Sequence, residues 1–281
     1  MERAPSAIAK IFLRNPLVRA GAVLSAFLII LGLIGPFLPL HDPYAQDIIH
    51  RLDAPTSDHW LGTDSFGRDV LARLIEASRN SLTIALTGII LGMLGGSLIG
   101  VTAGFLGGWV DRVASEFTDV FLAFPPDVLG ILVLVALGGG YVNTVMAIAM
   151  AFVPRFARLA RASTLSLREQ VYLEAGRALG AGRCRLMARY ILPSISGTIV
   201  VTATVWIATA IRAEASLSFL GLGVQPPRSS WGNMIGEGLT NMLDAPWVVF
   251  CPTLTIMYAV ISFNMVGDGL RDFIDPRTRH T

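Results

Sequence analysis

Six apolar blocks, each close to the length a helix needs to cross a bilayer core, alternate along this chain with polar segments rich in Arg, Gly and Pro. They fall at 19–39, 83–105, 118–138, 140–157, 195–215 and 247–267, and the pattern predicts six membrane-spanning helices in an all-α membrane protein. The third and fourth blocks are divided only by Gly138-Gly139-Gly140. The first is long for the apolar part of a signal peptide, and no small-x-small cleavage pattern follows Pro36 and Pro39. The expected organisation is a terminal segment 1–18, a first span, a polar segment 40–82, a five-helix core 83–267 and a tail 268–281. Inside the core lie a long polar loop, 158–193, and a second connecting loop, 216–246.

The polar segments carry their own signals. His41-Asp42-Pro43-Tyr44 and Asp53-Ala54-Pro55-Thr56 read as turns. Thr63 or Asp64 is the expected N-cap of a helix over about 65–79, with Asp69 near its positive end, and this helix runs on into the second span. Within that span Gly88, Gly92, Gly95, Gly96, Gly100 and Gly104 recur at three- and four-residue spacings, a face on which another helix can approach closely. The face serves either bundle packing or a contact that slides or hinges. Pro125-Pro126 and Pro154 are expected to kink their helices. Gly and Pro between Leu217 and Pro227 exclude a continuous helix, and Trp231 and Trp247 beyond them read as interfacial anchors.

Composition sharpens the class. Charged residues make up 15% of the chain, against about a quarter in soluble domains, and mean hydropathy is +0.61. Six of the 22 Lys and Arg (Arg51, Arg68, Arg73, Arg79, Arg212, Arg228) fall on one face of a six-span arrangement; the others, from Arg3 and Lys10 to Arg277 and Arg279, fall on the face that holds both termini. The positive-inside rule then places both termini in the cytoplasm. Cys184 and Cys251 fall in the polar loop and the last span, so no disulfide is expected. Lys10 is the only lysine, which excludes a Gly-x-x-x-x-Gly-Lys phosphate loop and therefore ATP binding of that type. All four histidines lie outside the spans, which removes histidine-activated nucleophiles from the membrane. His41, His50 and His59 share a segment with Asp42, Asp47, Asp53, Asp58 and Asp64, but a nine-residue spacing matches no ligand template. They read as solvated loop residues. No metal, cofactor or nucleic-acid partner is expected.

The loop from Arg155 to Pro193 is the most informative stretch. It carries Glu174-Ala175-Gly176-Arg177-Ala178-Leu179-Gly180 and then Tyr190-Ile191-Leu192-Pro193. It resembles the coupling loop of ATP-binding-cassette (ABC) importer permeases, with Gly176 and Tyr190 standing where the generic motif has Ala and Ile. Three further segments extend the likeness: Leu61-Gly62-Thr63-Asp64-x-x-Gly67-Arg68-Asp69, Leu217 to Trp231, and Phe263-Asn264-x-x-Gly267-Asp268-x-Leu270-Arg271-Asp272-x-x-Asp275-Pro276. Together they are similar to the second, "C"-type permease subunit of the dipeptide/oligopeptide/nickel importers.

That resemblance implies the type I ABC importer permease fold and a bacterial inner-membrane protein. It also implies a homologous second permease as partner, two ATPase subunits and an extracytoplasmic substrate-binding protein. Glu174, Ala175, Gly176, Gly180, Tyr190, Leu192 and Pro193 would form the ATPase-coupling loop, with Gly180 and Gly182 allowing the reversal and Pro193 ending the second short helix. Arg177, Arg183, Arg185 and Arg189 would either pair with acidic ATPase residues or hold the loop off the membrane. Ionisable groups at membrane depth usually face a water-filled path or a partner charge, so Asp127, Arg212 and Glu214 are expected to line or gate the pathway, the latter two alternatively forming a local ion pair. The implied function is short-peptide import without catalysis by this chain. Nickel or a nickel chelate is the alternative cargo. A membrane-embedded hydrolase and a self-sufficient carrier are the alternatives from other classes, disfavoured by the missing nucleophile motifs and the missing internal repeat.

Overall fold

A computed structural model describes residues 16–274. Arg3, Lys10, Arg14, Arg277, Arg279 and His280, with the Asp275-Pro276 end of the last motif, lie outside the described residues. The described chain is all-helical. Five helices are long and apolar enough to cross a membrane, and a bent pair supplies up to a sixth span.

Helix α1, Pro16–Ile34, starts with a proline whose missing N–H costs nothing at a first helical position. It lies against α10, Trp247–Ile274: a Cβ on Gly21 would come within 2.7 Å of Met265 Cβ, and the Tyr258 hydroxyl donates to the Leu24 carbonyl at 3.3 Å. Between α1 and the next helix, residues 38–69 form a folded polar cap rather than a slack connection. Its clamp is Gly67, at φ +71°, whose missing side chain leaves room for the Asp47 carbonyl.

Helix α2, Val70–Leu106, is 37 residues long, about 55 Å at the α-helical rise. Its N-cap is Asp69, which accepts from the Ala72 N–H, and not Thr63 or Asp64 as the sequence suggests. Those two are committed elsewhere. Thr63 Oγ1 donates to the His50 carbonyl and accepts from the Asp53 N–H, while Asp64 Oδ1 accepts from the N–H groups of Phe66 and Arg68. The helix therefore begins at Val70 rather than near 65, and passes without interruption into the membrane.

The glycine face of α2 has one partner, α5, Tyr141–Arg168. Gly88 faces Ile148, Gly92 faces Phe152, Gly96 faces Phe156, Gly100 faces Ala160 and Gly104 faces Thr164, a regular four-residue ladder on both helices. Gly95 lies off it. Helix α5 runs through Pro154 and ends at Arg168, eleven residues beyond the expected boundary at 157.

The third block is not one unbroken helix. It is α3, Gly108–Leu122, and α4, Pro126–Leu137, which meet at 95°. The turn at Gly107-Gly108 starts the pair nearer α2 than 118. The break falls at Pro125-Pro126, where neither proline can donate a backbone hydrogen bond. After α5 come α6, Val171–Ala178, and α7, Arg183–Leu186. A π turn at Met187–Ile191 then leads into α8, Leu192–Phe219. A short α9, Trp231–Gly238, precedes α10. Large apolar side chains such as Leu98, Val135 and Leu254 point outward, as a lipid- or partner-facing surface requires.

Candidate functional site

Two polar structures sit at opposite ends of α2. At its C-terminal end, α6 and α7 form a knuckle. Leu173, Leu186 and Ile191 are fully enclosed beneath it, which fixes the short helices to the bundle. Gly176 is buried against Leu186, whose Cδ2 would lie 3.0 Å from an added Cβ; the smaller residue permits this approach. The Arg177 guanidinium lies 5.5 Å above the Phe105 ring, tying α6 to the last turn of α2. Tyr172 and Tyr190 stack at 6.4 Å.

The reversal takes place at Gly180, φ +77°, with its N–H donating to the Arg177 carbonyl and the Ala181 N–H donating to the Gly176 carbonyl. What projects outward is Glu174, Ala175, Val171 and above all Leu179, 89% exposed. An isolated leucine displayed at the tip of a rigid turn has the form of a docking contact, and sequence patterning gave no sign of it.

Pro193 does not end the second short helix. Helical backbone continues from Arg183 to Phe219. A proline at 193 has no N–H for the Arg189 carbonyl, and the π turn just before it, closed by the Leu192 N–H on the Met187 carbonyl, takes up the mismatch. Arg183, Arg185 and Arg189 are exposed and make no ion pair among the described residues, whereas Arg158 and Arg161 pair with Asp119 and Asp111 of α3. Cys184 is exposed here and far in sequence from Cys251; both thiols are free.

At the N-terminal end of α2 the cap is welded to α9 by a buried ionic lattice. Arg73 spans Asp64 at 2.5 Å and Glu237 at 3.0 Å, and donates through Nε to Ser229 at 3.1 Å. Arg68 reaches the same carboxylates at 2.7 and 2.8 Å. Asn80 donates to the Ser229 carbonyl at 2.7 Å, and Trp231 Nε1 to Ser78 at 3.2 Å. Trp231 is fully buried, not an interfacial anchor as its position near a loop suggests; it is the first residue of α9, behind the Ser230/Asn233 capping box. Trp247 is half-buried and donates to the Thr63 carbonyl at 3.2 Å, again pinning the cap.

Tyr44 hydrogen-bonds Glu76 at 2.5 Å beside a cavity of about 810 Å³ that Arg79 and Arg228 also line. Burial, then the Glu76 carboxylate, pushes its phenol up to about 12, so it remains a proton donor at physiological pH.

The three expected pathway residues are not brought together. Asp127 is exposed in the first turn of α4, beside the 95° break, and acts electrostatically on Arg155 of α5. Arg212 is exposed on α8. Glu214, two residues on and therefore on the opposite side of the helix, is wholly enclosed and accepts from Ser218 at 2.7 Å. It makes no ion pair with Arg212, and in this conformation it belongs to the packing of α8 against α2 and α9 rather than to an open path.

Residues 96–280 match the family described as binding-protein-dependent transport system inner membrane component, and residues 7–55 match the N-terminal TM domain of oligopeptide transport permease C. The chain is 39% identical over 269 residues to the glutathione transport system permease protein GsiD of Pectobacterium atrosepticum, covering 95% of this chain and 89% of that one. It is 37% identical over 266 residues to the dipeptide transport system permease protein DppC of Alkalihalophilus pseudofirmus, covering 95% and 88%. In fold it resembles the MetNI methionine ABC transporter in an inward-facing conformation, with a TM-score of 0.59 at 18% identity over 72% of this chain and 96% of that one.

Proposed function

The chain belongs to the binding-protein-dependent transport system inner membrane components, multi-pass permeases of ABC importers that work with an ATPase and a binding protein, and from that premise we propose that it forms half of the pathway for short peptides of dipeptide to glutathione size. The second half is a homologous permease, and two ATPase subunits drive the pair. Relatives matched along 95% of the chain are named for glutathione and dipeptides, which favours peptide cargo over nickel.

The observation that carries the coupling role is the knuckle: a rigidly seated turn with Glu174 and Leu179 displayed at its tip. It lies at the end of the bundle where Arg183, Arg185 and Arg189 also gather, which the positive-inside rule assigns to the cytoplasm. Both termini are then cytoplasmic, and the cap faces outward to the binding protein. ATP binding on the partner closes the ATPase dimer, draws the two knuckles together and shifts the bundle from inward- to outward-facing. This chain supplies shape and a handle, and performs no bond chemistry.

The test is Leu179→Asp together with Glu174→Arg. Expected is loss of peptide uptake and of ATPase co-purification, with the variant present in the membrane at the normal level. Normal uptake in the double variant contradicts the docking role of the knuckle.

A further inference from the structure

The cap carries a constellation that the transport role does not use. His41 and His59, eighteen positions apart, lie with ring centroids 4.7 Å apart, and Asp58 faces both. Their donor atoms all lie within 4.8 Å of one another. The pairing is ordered by ring nitrogen. The Nδ1 atoms turn toward Asp69 Oδ2, at 2.8 Å for His59 and 3.7 Å for His41. The Nε2 atoms turn toward Asp58, His41 at 3.6 Å from Oδ1 and His59 at 3.9 Å from Oδ2.

Two features decide what this is. An ionised carboxylate only accepts, so in a neutral ring the hydrogen bond to Asp69 would place the His59 proton on Nδ1 and leave the Nε2 lone pair free for a ligand. Asp69 is itself held in place as the N-cap of α2, so the ring orientation is anchored to the longest helix. This carboxylate–imidazole pairing is the arrangement that orients histidine ligands on metals. Second, the Nε2-to-Asp58 separations are too long for hydrogen bonds. They run to different oxygens of the exposed Asp58, so a rotation of that side chain that sets one oxygen between the two nitrogens is needed to reach the roughly 3.3–3.5 Å between donors around a tetrahedral ion with bonds of about 2.0–2.2 Å. The three groups approach a common point without bonding one another.

We propose that His41, His59 and Asp58 bind one divalent transition-metal ion of the Zn²⁺ class, with Asp69 as the orienting carboxylate. Two imidazoles and one carboxylate suit Zn²⁺, with Ni²⁺ and Cu²⁺ as close competitors, and leave a fourth position open to water. The site is made by a surface turn and a loop, His41 and Asp58 being exposed, and it lies outside the helices of the core. The ion therefore staples residues 41 and 58–59 over the start of α2; it is not cargo on its way through. This inference does not depend on the peptide reading.

The experiment uses the full chain, purified in detergent without a histidine tag, stripped with chelator and titrated with Zn²⁺ by calorimetry. Expected is one ion per chain, with His41→Ala and His59→Ala each weakening binding by at least about tenfold and Asp58→Asn by about tenfold, within the range for loss of metal-site partners. His50→Ala, whose imidazole pairs with Asp47 instead, should bind as the parent does. Zinc-edge absorption should report two imidazole nitrogens. Circular dichroism matching the parent separates loss of the site from loss of the fold, and the highly exposed Asp58 makes its variant the safest of the three. Equal Zn²⁺ binding by the parent and the His41→Ala/His59→Ala double variant, or a loss in His50→Ala as large as in His59→Ala, overturns the assignment.

Discussion

Arg73 Nη1 lies 2.5 Å from Asp64 Oδ2, with the two side chains only 1% and 2% exposed. A buried pair of this kind is weak evidence of net stabilisation, but breaking it from one side is costly because the remaining charge stays buried. Arg73→Met leaves Asp64 and Glu237 to Arg68 alone. It should destabilise the chain by about 3 kcal/mol, near the lower end for such deletions because Arg68 remains. The thermal unfolding midpoint in detergent measures this, and an unchanged midpoint contradicts it. Arg73→Lys should fall close to Arg73→Met, since a single ammonium cannot span Asp64, Glu237 and Ser229 at once.

The α2–α5 contact makes a prediction that separates adjacent glycines. A Cβ at Gly96 would meet Phe156 Cβ at 2.6 Å and the Ala157 nitrogen at 2.9 Å, all on a packed helix. Gly96→Ala should therefore cost about 1–3 kcal/mol through overpacking. At Gly95 the nearest atom, Val153 Cγ2, would be 3.4 Å away, so Gly95→Ala should be neutral or gain up to about 1 kcal/mol from helix propensity. Parallel unfolding curves of the two variants check the order; equal destabilisation would show that the ladder is not the tight seam.

Gly180 has open space where a Cβ would go, and only its φ of +77° excludes other residues. Gly180→Val should disturb the turn by about 1–2 kcal/mol. It should abolish uptake while leaving membrane insertion intact, whereas Gly180→Asn, whose side chain tolerates that region, should retain most uptake. Uptake assays normalised to membrane level distinguish the three chains. Full activity of the valine variant is the contrary outcome.

Asp47 and His50 hydrogen-bond at 2.8 Å across the Ile48–His50 turn. That bond, first among the causes, holds the Asp47 carboxyl below its ordinary 3.8 and the His50 imidazole above its ordinary 6.5. The sign follows for each partner. The His50 contribution is complete below 6.5 and fades as pH rises through the raised folded value; the Asp47 contribution is complete above 3.8 and fades as pH falls through the lowered one. The turn should be firmest between those limits. NMR titration of the His50 ring should give a midpoint above 6.5 that returns toward it in Asp47→Asn.

The membrane class and the knuckle were legible in the sequence because both depend on local signals: apolar length, arginine position, Gly180 and the Glu174 motif. Relations across distance were not. The 95° break was concealed because apolar length cannot distinguish a straight helix from a bent pair, although Pro125-Pro126 marked its place. The cap of α2 was misplaced because Thr63, Asp64 and Asp69 all carry capping side chains, and only tertiary contacts show which is free. Trp231 near a Gly/Pro loop fits an interfacial belt until its partner Ser78, far back along the chain, is known. Asp64 and Glu237 share Arg68 and Arg73 across a separation no periodicity reveals, and His41 meets His59 only because the cap folds back on itself.

Helix α2 joins Asp69 of the cap to Phe105 beneath Arg177 with no break in its backbone. A rod of that kind works as a lever: a tilt of about 5° about its midpoint swings each end of a roughly 55 Å helix by about 2 Å, in opposite directions. A tilt imposed at one end of the helix is thus carried to the other without any signal passing from side chain to side chain, and the stiffness of the cap sets how much of that swing is kept.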